Sequence, residues 1–214
     1  MDMTVRFPMT EGDIATLPQF TADSPIRILF SACLLGSACG VDGTSYGEQP
    51  MLLRLARLPN VKPVTFCPED VSFGTPRNIP DIHDGDGFDV IDGRARVLTD
   101  KGEDWTDGMI AAAHKMLHLA QGNCIDLAIL MDMSAACGTQ IISDGPRLVE
   151  NRRYRKGPGV CSALLMRNGF RVIAQRDYRY LHCLMAKLDK THVPDAAARN
   201  HDETEWYRGY FAAG

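Results

Sequence analysis

The stretch that decides the fold reads Ile26-Arg27-Ile28-Leu29-Phe30 followed by Ser31-Ala32-Cys33-Leu34-Leu35-Gly36. Its first part is a short apolar run with β-branched residues, which is typical of a buried strand. In an open α/β sheet, ligands bind at the edge where the carboxyl ends of the strands lead into loops. The sequence therefore predicts a first strand that delivers Cys33 to a binding edge.

Two further cysteines follow apolar runs in the same way. Cys67 comes directly after the run from residue 61 to residue 66, and Cys137 lies a few residues past the run from 127 to 131. Because the carboxyl ends of parallel strands meet at one edge of a sheet, we expect the three thiols to converge. Zinc and iron–sulfur clusters both select thiolate ligands. The pattern therefore indicates a metal centre built from Cys33, Cys67 and Cys137.

The cysteine spacing also bears on the kind of metal centre. Structural zinc sites usually contain paired C-x-x-C ligands, and the sequence contains no such pair. Three separated thiols would leave an iron–sulfur cluster one protein ligand short, so that one iron could bind a substrate atom. The alternative is a non-catalytic zinc or iron–sulfur module for sensing or protein interaction. A phosphatase-type nucleophilic cysteine is disfavoured, because Cys39 stands where that loop needs an arginine.

The predicted elements alternate between strands and helices. Strands are predicted over residues 26–30, 61–66, 127–131 and 171–174, and helices over residues 49–58, 105–121 and 157–167. This alternation is typical of a parallel sheet with crossover helices. We therefore predict the α/β class, with a single domain whose mainly parallel sheet is flanked by helices. Asp92-Gly93 predicts a β-hairpin on the rim over residues 89–100, and residues 67–87 are predicted to form a long irregular loop.

Three segments are predicted along the chain. Residues 1–24 lack a sustained period and are predicted to form an extended leader. Residues 25–174 are predicted to form the α/β domain, and residues 175–214 a helical C-terminal tail. A chain of 214 residues can form one domain with a full core, because a domain of this size buries most of the surface that its unfolded chain exposes.

Composition and charge restrict the location and the partners. The hydrophobic fraction of 45% and the charged fraction of 23% are ordinary for a globular protein, and no apolar run is as long as a membrane span. Seven cysteines without an export signal are predicted to be thiols or metal ligands in the cytoplasm rather than disulfides. The net charge of -4 disfavours binding to a nucleic-acid backbone such as that of tRNA. The basic run 151–156 could still steer an anionic partner.

Several spaced motifs occur in an order that resembles a known family. They are Ser31-Ala32-Cys33-Leu34-Leu35-Gly36, Asp42-Gly43, Cys67-Pro68-Glu69, Thr75-Pro76-Arg77, Asp92-Gly93 with Ala95-Arg96-Val97, and residues 134–138. In this order they resemble the DUF523 family, whose characterised members are thiouracil desulfidases. The chain departs from the family pattern at Gly40-Val41 and at Ala135-Ala136, and both departures border the predicted pocket.

The resemblance implies a cofactor and a set of site residues. It implies an oxygen-sensitive [4Fe-4S] cluster held by Cys33, Cys67 and Cys137, with one iron free of protein ligands. It also implies that Glu69 and Ser134 are the polar catalytic pair. Family members remove sulfur from 2-thiouracil or a related small thiolated base, giving uracil and hydrosulfide. We further predict that three residues of the matching motifs bind the substrate, namely Ser31, Asp42 and Arg77.

This chemistry agrees with the properties of the residues. A thiocarbonyl sulfur is a soft donor that suits an open iron, which would prepare the carbon for attack by water. Glu69 could take the proton from that water, and Ser134 could orient the base or relay a proton. Both residues also have a purely structural interpretation. Glu69 could be a helix-start carboxylate after Pro68, and Ser134 could be a cap or turn residue.

Overall fold

The computed structural model describes residues 9–47 and 49–212. The strands are β1 Ile26–Ser31, β2 Val61–Phe66, β3 Pro80–His83, β4 Arg96–Thr99, β5 Leu127–Leu130, β6 Ile141–Ser143, β7 Tyr154–Lys156 and β8 Val172–Ala174. The α-helices are α1 Glu11–Ala15, α2 Pro50–Ala56, α3 Pro68–Phe73, α4 Gly87–Ile91, α5 Thr106–Gly122, α6 Val160–Arg167, α7 Tyr178–Leu188 and α8 Glu205–Phe211. Short 3-10 helices span Ala32–Leu35 and His201–Glu203.

The central sheet has four parallel strands in the order β2-β1-β5-β8. Every residue of β5 is buried, and so is every residue of β1 except Arg27. Continuous apolar strands of this kind are expected where both faces of a parallel sheet are covered by helices. The predicted α/β class with a mainly parallel sheet is therefore confirmed.

Two hydrophobic layers cover the two faces of the sheet. Leu29 of β1 packs in one layer with Met109 and Met116 of α5, while Ile28 and Phe30 pack in the other layer. Successive strand side chains point to opposite faces, so a single apolar strand supplies both layers. The second layer also receives buried side chains from α1, α2 and α7, namely Ile14, Leu52, Leu55, Leu181, Leu184, Met185 and Leu188.

The segment between β2 and α5 is more ordered than predicted. Residues 67–87 contain α3 and β3 rather than a continuous irregular loop. The hairpin predicted around Asp92-Gly93 is wrong, because β4 pairs antiparallel with β3, and α4 lies between them. Asp86 accepts hydrogen bonds from the N–H groups of Phe88 and Asp89 and so caps α4, which ends at Ile91. Gly93, at a φ of 73°, therefore follows a helix instead of turning a hairpin.

Helices lie near both ends of the described chain. Residues 1–8 lie outside the described residues, but α1 forms within the predicted extended leader and buries Ile14. A capping box between Thr10 and Asp13 explains why this short helix begins there. The C-terminal segment from residue 175 contains α7 and α8. The segment boundaries at residues 24 and 174 stay predictions. Among the described residues, no helix is both long and apolar enough to span a membrane.

A close helix contact beside the sheet gives a first prediction. A Cβ on Gly87 would lie 2.4 Å from the backbone carbonyl carbon and oxygen of Gly159, so one of the two segments would have to move. We expect Gly87→Ala to lower the free energy of unfolding by about 1 to 3 kcal/mol, as overpacking does. Denaturant-induced unfolding measures this change in free energy. Gly122→Ala is the control, because its Cβ would meet nothing within 4 Å. Equal effects of the two substitutions would contradict the packing argument.

Candidate metal centre and active site

A cavity of about 220 Å³ opens at the carboxyl edge of the parallel sheet. It lies where β1, β2 and β5 end, as Ser31, Phe66 and Met131 mark. The side chains that line it include four thiols and several polar or charged groups: Cys33, Cys39, Cys67, Cys137, Ser31, Tyr46, Glu69, Arg77, Asp132, Ser134, Arg147 and Arg176. The three predicted ligand cysteines therefore face one cavity.

Cys33 reaches the cavity through the 3-10 helix that directly follows β1. Gly36 ends this helix in the left-handed region, at a φ of 91°, and its N–H donates to the carbonyl of Cys33 at 3.3 Å. Glycine adopts this conformation without a steric cost. The strand, the tight helix and the glycine together hold the Cys33 thiol at the sheet edge.

Cys67 reaches the cavity as the residue that caps α3. Its Sγ accepts a hydrogen bond from the N–H of Asp70 at 3.4 Å, and Pro68 occupies the first turn of the helix. Proline suits this position because its missing N–H would have no partner inside the helix anyway. The thiol is thus fixed at the junction of β2 and α3.

Cys137 lies in the loop of residues 132–141, which follows β5. The Ser134 hydroxyl oxygen accepts hydrogen bonds from the N–H groups of Ala136 at 3.2 Å and Cys137 at 3.1 Å. The Ser134 carbonyl accepts another from Gly138 at 2.8 Å, and a Cβ on Gly138 would lie only 2.7 Å from that oxygen. Ser134 therefore shapes the turn that presents Cys137, in agreement with its structural interpretation.

The Cys39 thiol also lies in the cavity, and the Cys67 thiol donates to the Cys39 carbonyl at 3.9 Å. The pKa of Cys39 is raised to about 11, chiefly by the neighbouring Cys33 thiol and further by burial, although the neighbouring Cys67 thiol acts in the opposite direction. We predicted Cys39 to be a neighbour rather than a ligand, and it lies beside two of the predicted ligands. The only sequence signal was its position six residues after Cys33 in a glycine-rich loop.

The surroundings of Cys67 and Cys137 disfavour the thiolate form of these side chains. A hydrogen bond with the Cys39 thiol, together with burial, raises the pKa of Cys67, and burial raises that of Cys137. Coordinated iron would remove these protons, because a ligating thiol is deprotonated by the metal. No three His, Cys, Asp or Glu among the described residues are placed to hold a single metal ion. Ligands of a cluster bind separate iron atoms and lie further apart. Three thiols that face one cavity are a donor set that fits the thiolate ligation of an iron–sulfur cluster.

Glu69 is held beside the thiols by an arginine and a serine. Its Oε2 accepts hydrogen bonds from Arg77 Nη2 at 2.7 Å and Nε at 3.2 Å, and its Oε1 accepts one from the Ser134 hydroxyl at 3.1 Å. The Arg77 side chain is only 3% exposed and also donates to the Cys39 carbonyl at 2.9 Å. The predicted pair Glu69 and Ser134 is thus in direct contact, and Arg77 fixes the orientation of the carboxylate.

The three predicted substrate-binding residues lie in different places. Arg77 and Ser31 line the cavity. The Ser31 hydroxyl accepts a hydrogen bond from the N–H of Met131 at 3.0 Å, and it acts to lower the pKa of the neighbouring Cys137 thiol, against the larger effect of burial. Asp42 is exposed and outside the lining, where its carboxylate accepts hydrogen bonds from the N–H and hydroxyl of Thr44. The structure therefore gives Asp42 a place in the adjoining loop rather than in the cavity.

The basic residues divide between the cavity and the surface. Arg147 lines the cavity and is bound by Asp81, whose Oδ1 accepts from its Nε at 2.7 Å. Arg176 lines the cavity and is exposed. The run 151–156 lies outside the lining, and its Arg155 faces Asp144 at 3.5 Å. The two places where the chain departs from the family pattern also differ. Val41 lines the cavity, whereas Ala135 and Ala136 are buried and lie outside its lining.

The fold and the cavity together define an α/β protein with a thiol-lined site at the carboxyl edge of its parallel sheet. The chain belongs to the 2-thiouracil desulfurase family, whose model matches residues 28–177. This confirms the resemblance to DUF523 proteins on which the site residues were predicted.

Two relatives cover most of the same segment. The uncharacterised protein YbbK of Bacillus subtilis (strain 168) is 34% identical over 151 residues, which is 70% of this chain and 96% of YbbK. The solved structure of TudS, a [4Fe-4S]-dependent thiouracil desulfidase, is 32% identical and covers 70% of this chain and 90% of its own, with a TM-score of 0.56. The similarity supports an enzyme with an iron–sulfur cofactor.

The convergence of the thiols gives a second prediction. We expect Cys33→Ala, Cys67→Ala and Cys137→Ala each to lose the iron of the anaerobically purified protein, because each removes one of three ligands. Iron and acid-labile sulfide assays measure this. Cys124→Ala and Cys183→Ala are controls outside the cavity, and Cys39→Ala should also keep most of its iron. Loss of iron in Cys39→Ala with retention in one of the three ligand variants would contradict the ligand assignment.

Proposed function

We propose that this protein is a desulfidase that uses a [4Fe-4S] cluster to remove sulfur from 2-thiouracil or a related thiolated nucleobase or nucleoside. The products are the uracil-type base and hydrosulfide. The observation that carries the proposal is one cavity shared by the thiols of Cys33, Cys67 and Cys137 and by the hydrogen-bonded pair of Glu69 and Ser134. The predicted cytoplasmic location is part of the same proposal.

The cluster would be held by Cys33, Cys67 and Cys137. The chemistry that it supplies when bound is Lewis-acid activation of a soft thiocarbonyl sulfur at an iron without a protein ligand. The cavity of about 220 Å³ combines apolar side chains with a few polar groups, as small-molecule sites generally do. Phe66, Met131 and Met133 line the cavity and give it apolar walls that limit the entry of water.

Glu69 is proposed as the general base. Its carboxylate takes one proton from water as the water oxygen bonds to the thiocarbonyl carbon and the C=S π electron pair moves onto sulfur. When the remaining C–S bond breaks, the C=O bond forms, the remaining hydroxyl proton passes to sulfur, and hydrosulfide leaves; Glu69 then gives its proton to solvent. Arg77 and Ser134 hold both carboxylate oxygens, so the base is oriented before the substrate arrives. The structural role of Ser134 in the Cys137 turn is compatible with this contact, because its hydroxyl oxygen accepts from the turn while its hydrogen is donated to Glu69.

A third prediction separates holding the cluster from using it. Glu69→Gln keeps the shape of the side chain but removes the base, so we expect unchanged iron content and a turnover lower by roughly 100- to 10,000-fold, as for a general acid–base group. Hydrosulfide release under anaerobic conditions measures turnover. Glu150→Gln is the control, since Glu150 is exposed and outside the cavity lining. Near-normal turnover of Glu69→Gln would exclude Glu69 as the base.

A fourth prediction tests the proposed function and the substrate class. The anaerobically purified protein should be brown, with iron–sulfur absorption, and should release hydrosulfide from free 2-thiouracil at a rate that barely changes between low and physiological salt. A small neutral base gains little from phosphate-binding cations, and the net charge is -4. A colourless zinc protein without turnover would instead support a sensing or interaction module.

The alternative substrate, thiolated tRNA, has a different signature. Binding to a nucleic-acid backbone weakens steeply as salt rises. Slow release of sulfide from the free base, together with fast and salt-sensitive desulfuration of thiolated tRNA, would overturn the substrate assignment. In that case the tRNA activity should fall when Arg152, Arg153 and Arg155 of the basic run are neutralised.

A further inference from the structure

The chain beyond the family segment contributes a buried side chain to the site. The family match ends at residue 177, and His201 lies 24 residues later, in the 3-10 helix between α7 and α8. His201 is 2% exposed, and its ring contacts Asp132, which lines the cavity. We propose that His201 is a positioning residue that acts through Asp132 to hold the loop carrying Cys137. The inference rests on the proposed function, since it concerns a ligand loop of that site.

Asp132 closes the loop of residues 132–141. Its Oδ1 accepts hydrogen bonds from three consecutive N–H groups, those of Thr139 at 2.8 Å, Gln140 at 3.1 Å and Ile141 at 3.3 Å. The loop that contains Ser134 and Cys137 therefore starts and ends at the same carboxylate. A shift of this carboxylate would move both ends of the loop relative to each other.

His201 occupies the other oxygen of Asp132. Its Nδ1 lies 2.6 Å from Asp132 Oδ2, and because an ionised carboxylate only accepts, Nδ1 carries the proton. The Nε2 atom is buried and has no hydrogen-bond partner among the described residues, so the ring is directed at Asp132 alone. Burial acts to raise the pKa of Asp132, but hydrogen bonds from His201 and from the loop N–H groups outweigh it, and the pKa is lowered. His201 thus helps to keep the loop anchor ionised.

Two contacts hold His201 in place, one with its backbone and one with its ring. The backbone N–H of His201 donates to the buried Asp177 at 3.2 Å, and Asp177 also accepts from Gln140 Nε2 at 2.6 Å. Trp206 of α8 stacks on the ring, with the centroids 5.7 Å apart and the planes inclined by 18°. The tail therefore presents a fixed donor to Asp132. Such outer partners of ligand groups typically affect metal affinity or activity by about 10- to 100-fold when removed.

Three variants separate the hydrogen bond from general packing. His201→Phe keeps a flat buried ring but loses the donor, whereas His201→Asn loses the ring but can place an N–H donor where Nδ1 lies. Phe211→Leu disturbs the ring packing of α8 but leaves both His201 and Trp206 in place, because Phe211 contacts Trp206, Tyr207 and Tyr210. Each variant is purified anaerobically as the full chain, and the release of iron to a chelator is followed over time.

The proposal predicts that His201→Phe releases iron about 10- to 100-fold faster than the parent protein. His201→Asn and Phe211→Leu should stay close to the parent rate. The proposal is overturned if His201→Phe releases iron at the parent rate, if Phe211→Leu is as fast as His201→Phe, or if His201→Asn gives no rescue. Should His201→Phe fail to fold by circular dichroism, Asp132→Asn takes its place with the same expected acceleration, since it removes the ionised anchor.

Amide hydrogen exchange tests the role of His201 independently of the proposed function. His201→Phe should accelerate exchange at Thr139, Gln140 and Ile141, whose N–H groups donate to Asp132, while exchange in β5 stays unchanged. The measurement works on protein with or without iron. If the protein binds no cluster, the proposed function fails, and the exchange rates still decide the role of His201. Unchanged exchange at these three amides would reject it.

Discussion

The parallel pairing of β1 with β2 on one side and with β5 on the other fixes where the chemistry can occur. The register runs from Ile26 opposite Val61 to Ser31 opposite Phe66, so the two strands end side by side. Because all parallel strands of a sheet point the same way, the residues that follow them collect at one edge. Three thiols from distant parts of the sequence therefore meet without any local motif that joins them.

Three carboxylates at or beside the cavity each have a basic partner that fixes their direction. Glu69 is paired with Arg77, Asp81 with Arg147, and Asp132 with His201. Removing one partner of such a pair leaves a buried charge uncompensated, which is far more costly than the net benefit of the pair itself. These pairs therefore orient the side chains of a rigid site, and they add little to the stability of the fold.

The sequence predicted those features whose signal is local. Apolar runs located the four parallel strands, and the helical spacing of residues such as Met109 and Met116 located α5, with both side chains buried as expected. The pairing of β3 with β4 was missed because Asp92-Gly93 resembles a hairpin turn, while the cap at Asp86 starts a helix instead. The contacts of Cys39 with Cys67 and of His201 with Asp132 join segments distant in sequence, and no periodic pattern reports such contacts. The resemblance to a family supplied what the pattern could not, namely the proposed roles of Glu69 and Ser134.

The contact between Asp132 and His201 joins residues 69 positions apart, and it also sets an order of events during biosynthesis. The ribosome completes the loop with Cys137 well before it reaches His201, so the nascent loop lacks one of its anchors. Closing this long-range contact is an entropically costly step that becomes possible only after His201 has been synthesised. The loop that carries Cys137 therefore acquires its last anchor well after its own residues have left the ribosome.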